Sequence, residues 1–189
     1  SGLFATPFVG REPELAALLQ CVRSATEALR TRAVVVLGAA GMGKSRLRHE
    51  AVAAAAARGD GPRWLSIRAE AARRDAPFAA LRDAIDRDVG PDVAALFNPA
   101  THASGDPVAA LDRARASLRT VLEGLAAEGP VVLVVDDAQW LDMSSRAAIR
   151  WVREQDLDLP LAVWVFGRPE AAAAAADLAG PAPSFELGP

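Results

Sequence analysis

The chain reads as an α/β domain, a parallel sheet with helices on both faces, and three observations predict it. Short apolar runs alternate with longer segments of helical periodicity along the 189 residues. A glycine-rich loop joins the first apolar run to a helix, and a later, wholly apolar run ends in two adjacent aspartates. Both features belong at the carboxyl edge of a parallel sheet, where open α/β proteins bind ligands.

Taken in order, residues 1–6 read as a linker or remnant and residues 7–189 as one domain, a length that a single core commonly takes. Leu15, Leu18, Leu19, Val22, Thr26 and Leu29 recur at helical spacing over residues 14–29, and Cys21 among them reads as a packing residue. Residues 33–37, apolar and mostly β-branched, predict a strand buried on both faces. Residues 45–58 lack glycine and proline, are rich in alanine and predict a helix. After the turn Gly59-Asp60-Gly61-Pro62, residues 64–67 alternate as a second strand should, and residues 79–88 form a short helix stopped by Gly90-Pro91. Residues 91–107 show no long period and predict an irregular connection with about one helical turn. A long helix follows over residues 108–125, ended by Gly129-Pro130. Residues 131–135 are the third strand, 145–153 a helix, 161–166 the fourth strand, 170–178 an alanine-rich helix and 184–187 a short fifth strand.

Composition narrows the function classes. Half the residues are hydrophobic (51%) and the net charge is −3, so the chain can bury a core and has no global attraction for nucleic acid or anionic membrane. The single cysteine excludes an internal disulfide and suits a reducing cytoplasm. His49 and His102 are too few and too far apart to suggest a metal site. No apolar stretch reaches the roughly 18 residues of a membrane span and no signal peptide is evident, so the expected location is cytoplasmic.

The chemistry concentrates in Gly38-Ala39-Ala40-Gly41-Met42-Gly43-Lys44-Ser45, which contains the chain's one lysine. Lysine is avoided everywhere except where a compact, flexible point charge suits a phosphate. The strand–loop–helix context is that of the P-loop, whose amides and helix N-terminus face one anion. Gly38, Gly41 and Gly43 are expected to allow positive φ and close backbone approach. Lys44 is expected to bridge β- and γ-phosphate oxygens, Ser45 to ligate Mg2+, and the loop through Arg46 to surround the phosphates.

Asp136 and Asp137, at the end of the third strand, are the acidic partners. Asp136 is placed to hold magnesium, through water or with Ser45, and Asp137 to orient or deprotonate an attacking water; alternatively both cap the next helix. Arg168, following the fourth strand, supplies a cation at the same edge that can sense γ-phosphate charge.

Together, Phe8-Val9-Gly10-Arg11-Glu12, the P-loop, Ala76-Pro77-Phe78, Asp136-Asp137-Ala138-Gln139-Trp140-Leu141-Asp142 and Gly167-Arg168-Pro169-Glu170 resemble the STAND class of signal-transduction ATPases, related to AAA+ proteins. More narrowly, the chain is similar to the ATPase module of large LuxR-type bacterial regulators and of related cyclase-associated proteins. The resemblance implies a P-loop NTPase three-layer α/β/α sandwich with a five-stranded parallel sheet of order 5-1-4-3-2. It implies that Val9 and Gly10 border adenine, that Lys44, Ser45 and Asp136 hold phosphate and magnesium, and that Arg168 is a sensor arginine. Asp137 stands where AAA+ ATPases usually carry glutamate, which fits a slow switch better than a fast motor. Gln139 and Trp140 match the family pattern without an independent chemical role, Trp140 serving as a packing residue.

Relatives of this kind continue into a lid, helical repeats and often a DNA-binding helix-turn-helix, none of which fits after Pro189. The expectation is therefore an excised core that binds ATP or ADP with Mg2+, hydrolyses weakly alone, self-associates with nucleotide, and binds neither nucleic acid nor membrane directly. Two other readings stay open: a P-loop kinase acting on a small molecule, and a nucleotide-binding scaffold without turnover.

Overall fold

The computed structural model describes residues 10–57, 61–98, 106–155 and 157–188. Its elements are α1 (Glu12–Ala28), β1 (Arg32–Gly38), α2 (Lys44–Ala56), β2 (Arg63–Arg68), α3 (Ala79–Asp88), α4 (Pro91–Ala94), α5 (Pro107–Ala126), β3 (Val131–Asp136), α6 (Met143–Glu154), β4 (Leu161–Gly167), α7 (Ala172–Ala179) and β5 (Ser184–Leu187). The five strands form one sheet in the order β2-β3-β4-β1-β5, and every neighbouring pair is parallel. Read from its other edge this is the 5-1-4-3-2 order that the resemblance implies.

Strand alternation divides the core into two layers. Val34 and Val36 of β1, Val132 and Val134 of β3, and Ala162, Trp164 and Phe166 of β4 pack with Leu18, Cys21 and Ala25 of α1 and Leu47 and Ala51 of α2. Their alternating neighbours, Val35, Leu37, Leu133, Val135, Val163 and Val165, pack on the opposite face with Leu81, Ile85, Leu118, Leu122, Ile149, Val152 and Leu178. The central strands are apolar throughout because both of their faces are covered.

Several boundaries differ from expectation for local reasons. In α1 the buried stripe is Leu18, Cys21 and Ala25, while Thr26 is exposed and turns its hydroxyl back onto the Val22 carbonyl at 2.9 Å. Leu29 leaves the helix as a left-handed cap with φ 48° and is 53% exposed. The connection after α3 contains the expected helical turn and extends it: Pro91 starts α4, which runs directly into a 3-10 turn over Ala95–Phe97 and buries Phe97 completely. Residues 99–105, which include His102, and residues 1–9, which include Val9 and the expected linker, lie outside the described residues. No described helix is long and apolar enough to cross a membrane.

A buried carboxylate joins the two helices behind the site. Asp142, 2% exposed, caps α6 by accepting from Ser145 N at 2.8 Å, and also accepts from Phe78 N at 2.9 Å and Ala80 N at 3.2 Å at the start of α3. Ser145 Oγ donates to Asp142 at 2.7 Å and accepts from Leu81 N at 3.3 Å. One carboxylate thus satisfies orphan amides of two helices. This is the physical content of the Ala76-Pro77-Phe78 and Leu141-Asp142 segments, which sequence reading matched only by pattern.

Candidate nucleotide-binding site

Register places the candidate residues. Leu37 aligns with Gly167 across β1 and β4, and Val135 with Val165 across β3 and β4, so the three strands finish along one edge. The loop after β1, the two aspartates after β3 and Arg168 after β4 therefore meet there. Ala40, Gly41, Gly43, Lys44, Ser45, Arg46, Asp136, Asp137 and Arg168 line a single cleft of about 320 Å³. Gly38, Ala39 and Met42 shape the loop beneath it without lining it. Gly10 is exposed and does not line the cleft; the neighbouring Arg11 side chain contacts the Gly188 carbonyl, just past β5, which pairs with β1.

The loop glycines divide into two kinds. Gly41 and Gly43 hold φ of 83° and 82°, the left-handed conformation that turns successive amides toward a common centre. Gly38, expected to need positive φ, does not; a Cβ there would come within 3.0 Å of the Leu187 Cβ and 3.4 Å of the Met42 Cβ. It is glycine for lack of room against β5. Gly43 is the N-cap of α2, which begins at Lys44 with no side-chain cap and no acidic residue in its first turn. The helix N-terminus thus meets the cleft without a capping side chain or an acidic residue, an arrangement that suits an anion.

Lys44 folds over the loop, Nζ donating to the Gly38 carbonyl at 2.6 Å and the Ala39 carbonyl at 2.9 Å. An ammonium has three donors, so one remains for the cleft.

The two aspartates have different environments. Burial raises the Asp136 pKa above the ordinary carboxylate value of 3.8, Arg48 pulls it down and Asp137 pushes it up again. Arg48 Nη1 lies 3.3 Å from Asp136 Oδ2. Sequence reading missed Arg48, although its spacing carried the signal: it stands four residues after Lys44 and three after Ser45, on the same face of α2. Asp137 has left-handed backbone, φ 56° and ψ 47°, and caps nothing with its side chain. Its Oδ1 instead accepts from Gln139 Nε2 at 2.9 Å. Helix capping falls to Asp142, so the capping alternative does not account for either Asp136 or Asp137.

Gln139, which the sequence matched to the family pattern without a chemical role, has one here. Its Oε1 accepts from the Arg168 backbone N–H at 3.1 Å, so one amide touches both the acidic and the basic segment of the cleft. The Arg168 guanidinium reaches toward Glu170, 3.9 Å away, and its side chain is 43% exposed. Trp140 is half-buried against the core, the packing role expected of it.

The donor set suits a small hard cation. Ser45 and Asp136 line the cleft and offer a hydroxyl and a carboxylate as oxygen donors, and magnesium is typically held by one or two such groups together with phosphate oxygens and water. A cation beside Asp136 also offsets the burial that raises its pKa, as Arg48 already does in part.

Comparison with known proteins follows the same lines. The chain is similar in fold to Cdc6p from Pyrobaculum aerophilum, with 18% identity, a TM-score of 0.66, and coverage of 100% of this chain and 48% of that one. It is also similar to the Aeropyrum pernix Orc1 protein, solved in complex with DNA, with 17% identity, a TM-score of 0.63, and coverage of 97% and 46%. Caenorhabditis elegans PCH-2 matches with 10% identity, a TM-score of 0.53, and coverage of 96% and 44%. The chain spans about half the length of these proteins. No curated protein matches it. The AAA ATPase domain family matches residues 7–165, from the segment before α1 into β4, and therefore takes in the loop, Lys44, Ser45 and both aspartates. With that match over most of its length, and a parallel sheet of matching order, the chain belongs to the AAA ATPase domain family.

Proposed function

We propose that this chain is the nucleotide-binding core of a STAND-type regulatory switch, as in LuxR-type bacterial regulators, and that it binds ATP and ADP with Mg2+ and hydrolyses ATP slowly. The observation that carries the reading is the convergence of Lys44, Ser45, Asp136, Asp137 and Arg168 on one cleft at the end of three strands. A switch needs a site that contacts its two ligands differently, since a ligand shifts an equilibrium only by its differential affinity. In this reading Arg168 and Asp137, both lining the cleft, meet the γ-phosphate that ATP carries and ADP lacks.

The roles follow from the groups. The amides of the loop and the first turn of α2 bind the β-phosphate, and Lys44 exchanges its bonds with the loop carbonyls for phosphate oxygens. Magnesium, held by Ser45 Oγ and Asp136, would neutralise phosphate charge. Asp137 orients a water toward the γ-phosphorus and receives its proton as the new P–O bond forms and the bond to the β–γ bridging oxygen breaks, releasing ADP and phosphate. Arg168 compensates the charge on the γ-phosphoryl oxygens. Gly10, with Val9, borders the adenine in this reading. Whatever reads the switch lies in segments beyond this core.

Calorimetric titration of nucleotide-free protein with ATP, ADP and GTP in the presence of magnesium tests the proposal. Selective adenine-nucleotide binding is the expected result; absence of binding by demonstrably folded chain overturns it. Phosphate transfer to a small-molecule acceptor would replace the switch with a kinase.

A further inference from the structure

We infer that Gln139 is a positioning residue that ties the γ-phosphate sensor to the water-orienting carboxylate, making Arg168 and Asp137 respond to nucleotide as one unit. The inference rests on the roles proposed above for those two residues and adds a physical link between them.

The link is a single side-chain amide with a bond at each end. Gln139 Oε1 accepts from the Arg168 N–H at 3.1 Å, and Gln139 Nε2 donates to Asp137 Oδ1 at 2.9 Å. The chemistry of the partners fixes the orientation of the amide: a backbone N–H only donates and a carboxylate only accepts, so exchanging Oε1 and Nε2 would lose both bonds. Glutamine is the side chain that satisfies this pair; glutamate would serve the Arg168 end and repel Asp137.

The surroundings make room for it. A Cβ on Gly167 would come within 3.4 Å of Gln139 Oε1, 3.6 Å of the Ala138 Cβ and 3.0 Å of the Ala171 Cβ. Gly167, the last residue of β4, therefore admits both the amide and the turn that follows. Both ends are also anchored by short turns: Trp140 N donates to the Asp137 carbonyl at 2.8 Å, and Ala171 N to the Arg168 carbonyl at 2.9 Å. Asp137 itself stands in left-handed backbone, uncommon outside glycine although aspartate adopts it more readily than most residues. A shift of the Arg168 backbone on meeting a γ-phosphate thus pulls on the Asp137 carboxylate through two hydrogen bonds. In the AAA ATPase domain that this chain carries, such a link would make hydrolysis wait until the sensor is engaged.

The two ends are separable by substitution. Gln139→Glu keeps the Arg168 bond and reverses the Asp137 end; Gln139→Met keeps the shape and loses both. ATP and ADP affinities would be measured by titration on the whole chain for wild type, both variants, Arg168→Ala and the Gln139→Met/Arg168→Ala pair, with single-turnover hydrolysis followed alongside. Arg168→Ala should lower the ATP-over-ADP affinity ratio about tenfold, the scale of one charge-assisted hydrogen bond. Gln139→Met should lower the ratio several-fold, with the pair no worse than Arg168→Ala alone, the non-additivity of groups acting together. Gln139→Glu should keep the ratio and slow hydrolysis. A merely structural glutamine would shift the melting temperature while leaving the ratio and hydrolysis at wild-type values, and that result overturns the link. Wild-type protein that binds neither nucleotide overturns the functional reading and the link with it; wild-type binding with an unaltered ratio and rate in Gln139→Met overturns the link alone.

Discussion

Lys44 is the residue on which nucleotide binding turns. Its ammonium bonds two loop carbonyls and can transfer to phosphate with little movement of the loop. Lys44→Ala should weaken ATP binding by roughly 10- to 100-fold, the loss of one or more bonds to a charged group, measured by titration. Cys21 makes a different prediction. Burial pushes its thiol from the ordinary 9.0 up to about 12. The native state therefore holds the proton in a range where the unfolded chain releases it. The stability that this contributes is complete below pH 9 and is lost as pH rises from there toward 12. With no tyrosine and one lysine in the chain, few other side chains titrate in that window. The urea midpoint should fall above pH 9, and Cys21→Ala should flatten the fall. Iodoacetamide should label Cys21 slowly at pH 8 in folded protein and readily in urea.

At the scale of elements, the joint between α3 and α6 depends on Asp142. Removing its carboxylate leaves the amides of Phe78, Ala80 and Ser145 buried without acceptors. Asp142→Ala should cost about 3 kcal/mol or more in urea unfolding, beyond the loss of a single exposed cap. Since α3 packs on β2 and α6 on α7, the loss should reach the whole fold rather than one helix end. The α1 helix shows the limit of reading an element by period alone. Thr26 and Leu29 fit the apolar spacing, yet the helix ends in a left-handed cap at Leu29 and the stripe that reaches the sheet is shifted to Leu18, Cys21 and Ala25. Periodicity identifies a helix; the sheet it meets selects the buried face.

For the whole molecule, the sheet order has a functional consequence. With β4 between β1 and β3, the phosphate loop and the acidic strand flank the strand that carries Arg168. The cleft therefore draws on three strands whose ends share one edge. Nucleotide bound there should stabilise the entire domain by mass action, raising the melting temperature with ATP concentration; a hundredfold excess over Kd corresponds to about 2.7 kcal/mol. Lys44→Ala should remove about half of that shift or more without changing the melting temperature of nucleotide-free protein greatly, because Lys44 opens α2 and lies in neither core layer.

The sequence by itself determined the alternation of strands and helices, the loop from Gly38 to Ser45, and the three strand ends that bear chemistry. These are local properties: side-chain period, turn residues and a motif written in consecutive positions. Tertiary structure decided what depends on residues distant in the chain. It set Arg48 against Asp136 and Asp142 across two helices, and it joined Asp137 to Arg168 through Gln139. It also gave Gly38 a reason different from the expected one, since the crowding comes chiefly from Leu187 of β5, far along the chain. A hydrogen bond between residues 29 positions apart leaves no periodic trace in a sequence. Only the register of β1, β3 and β4 brings such partners within reach.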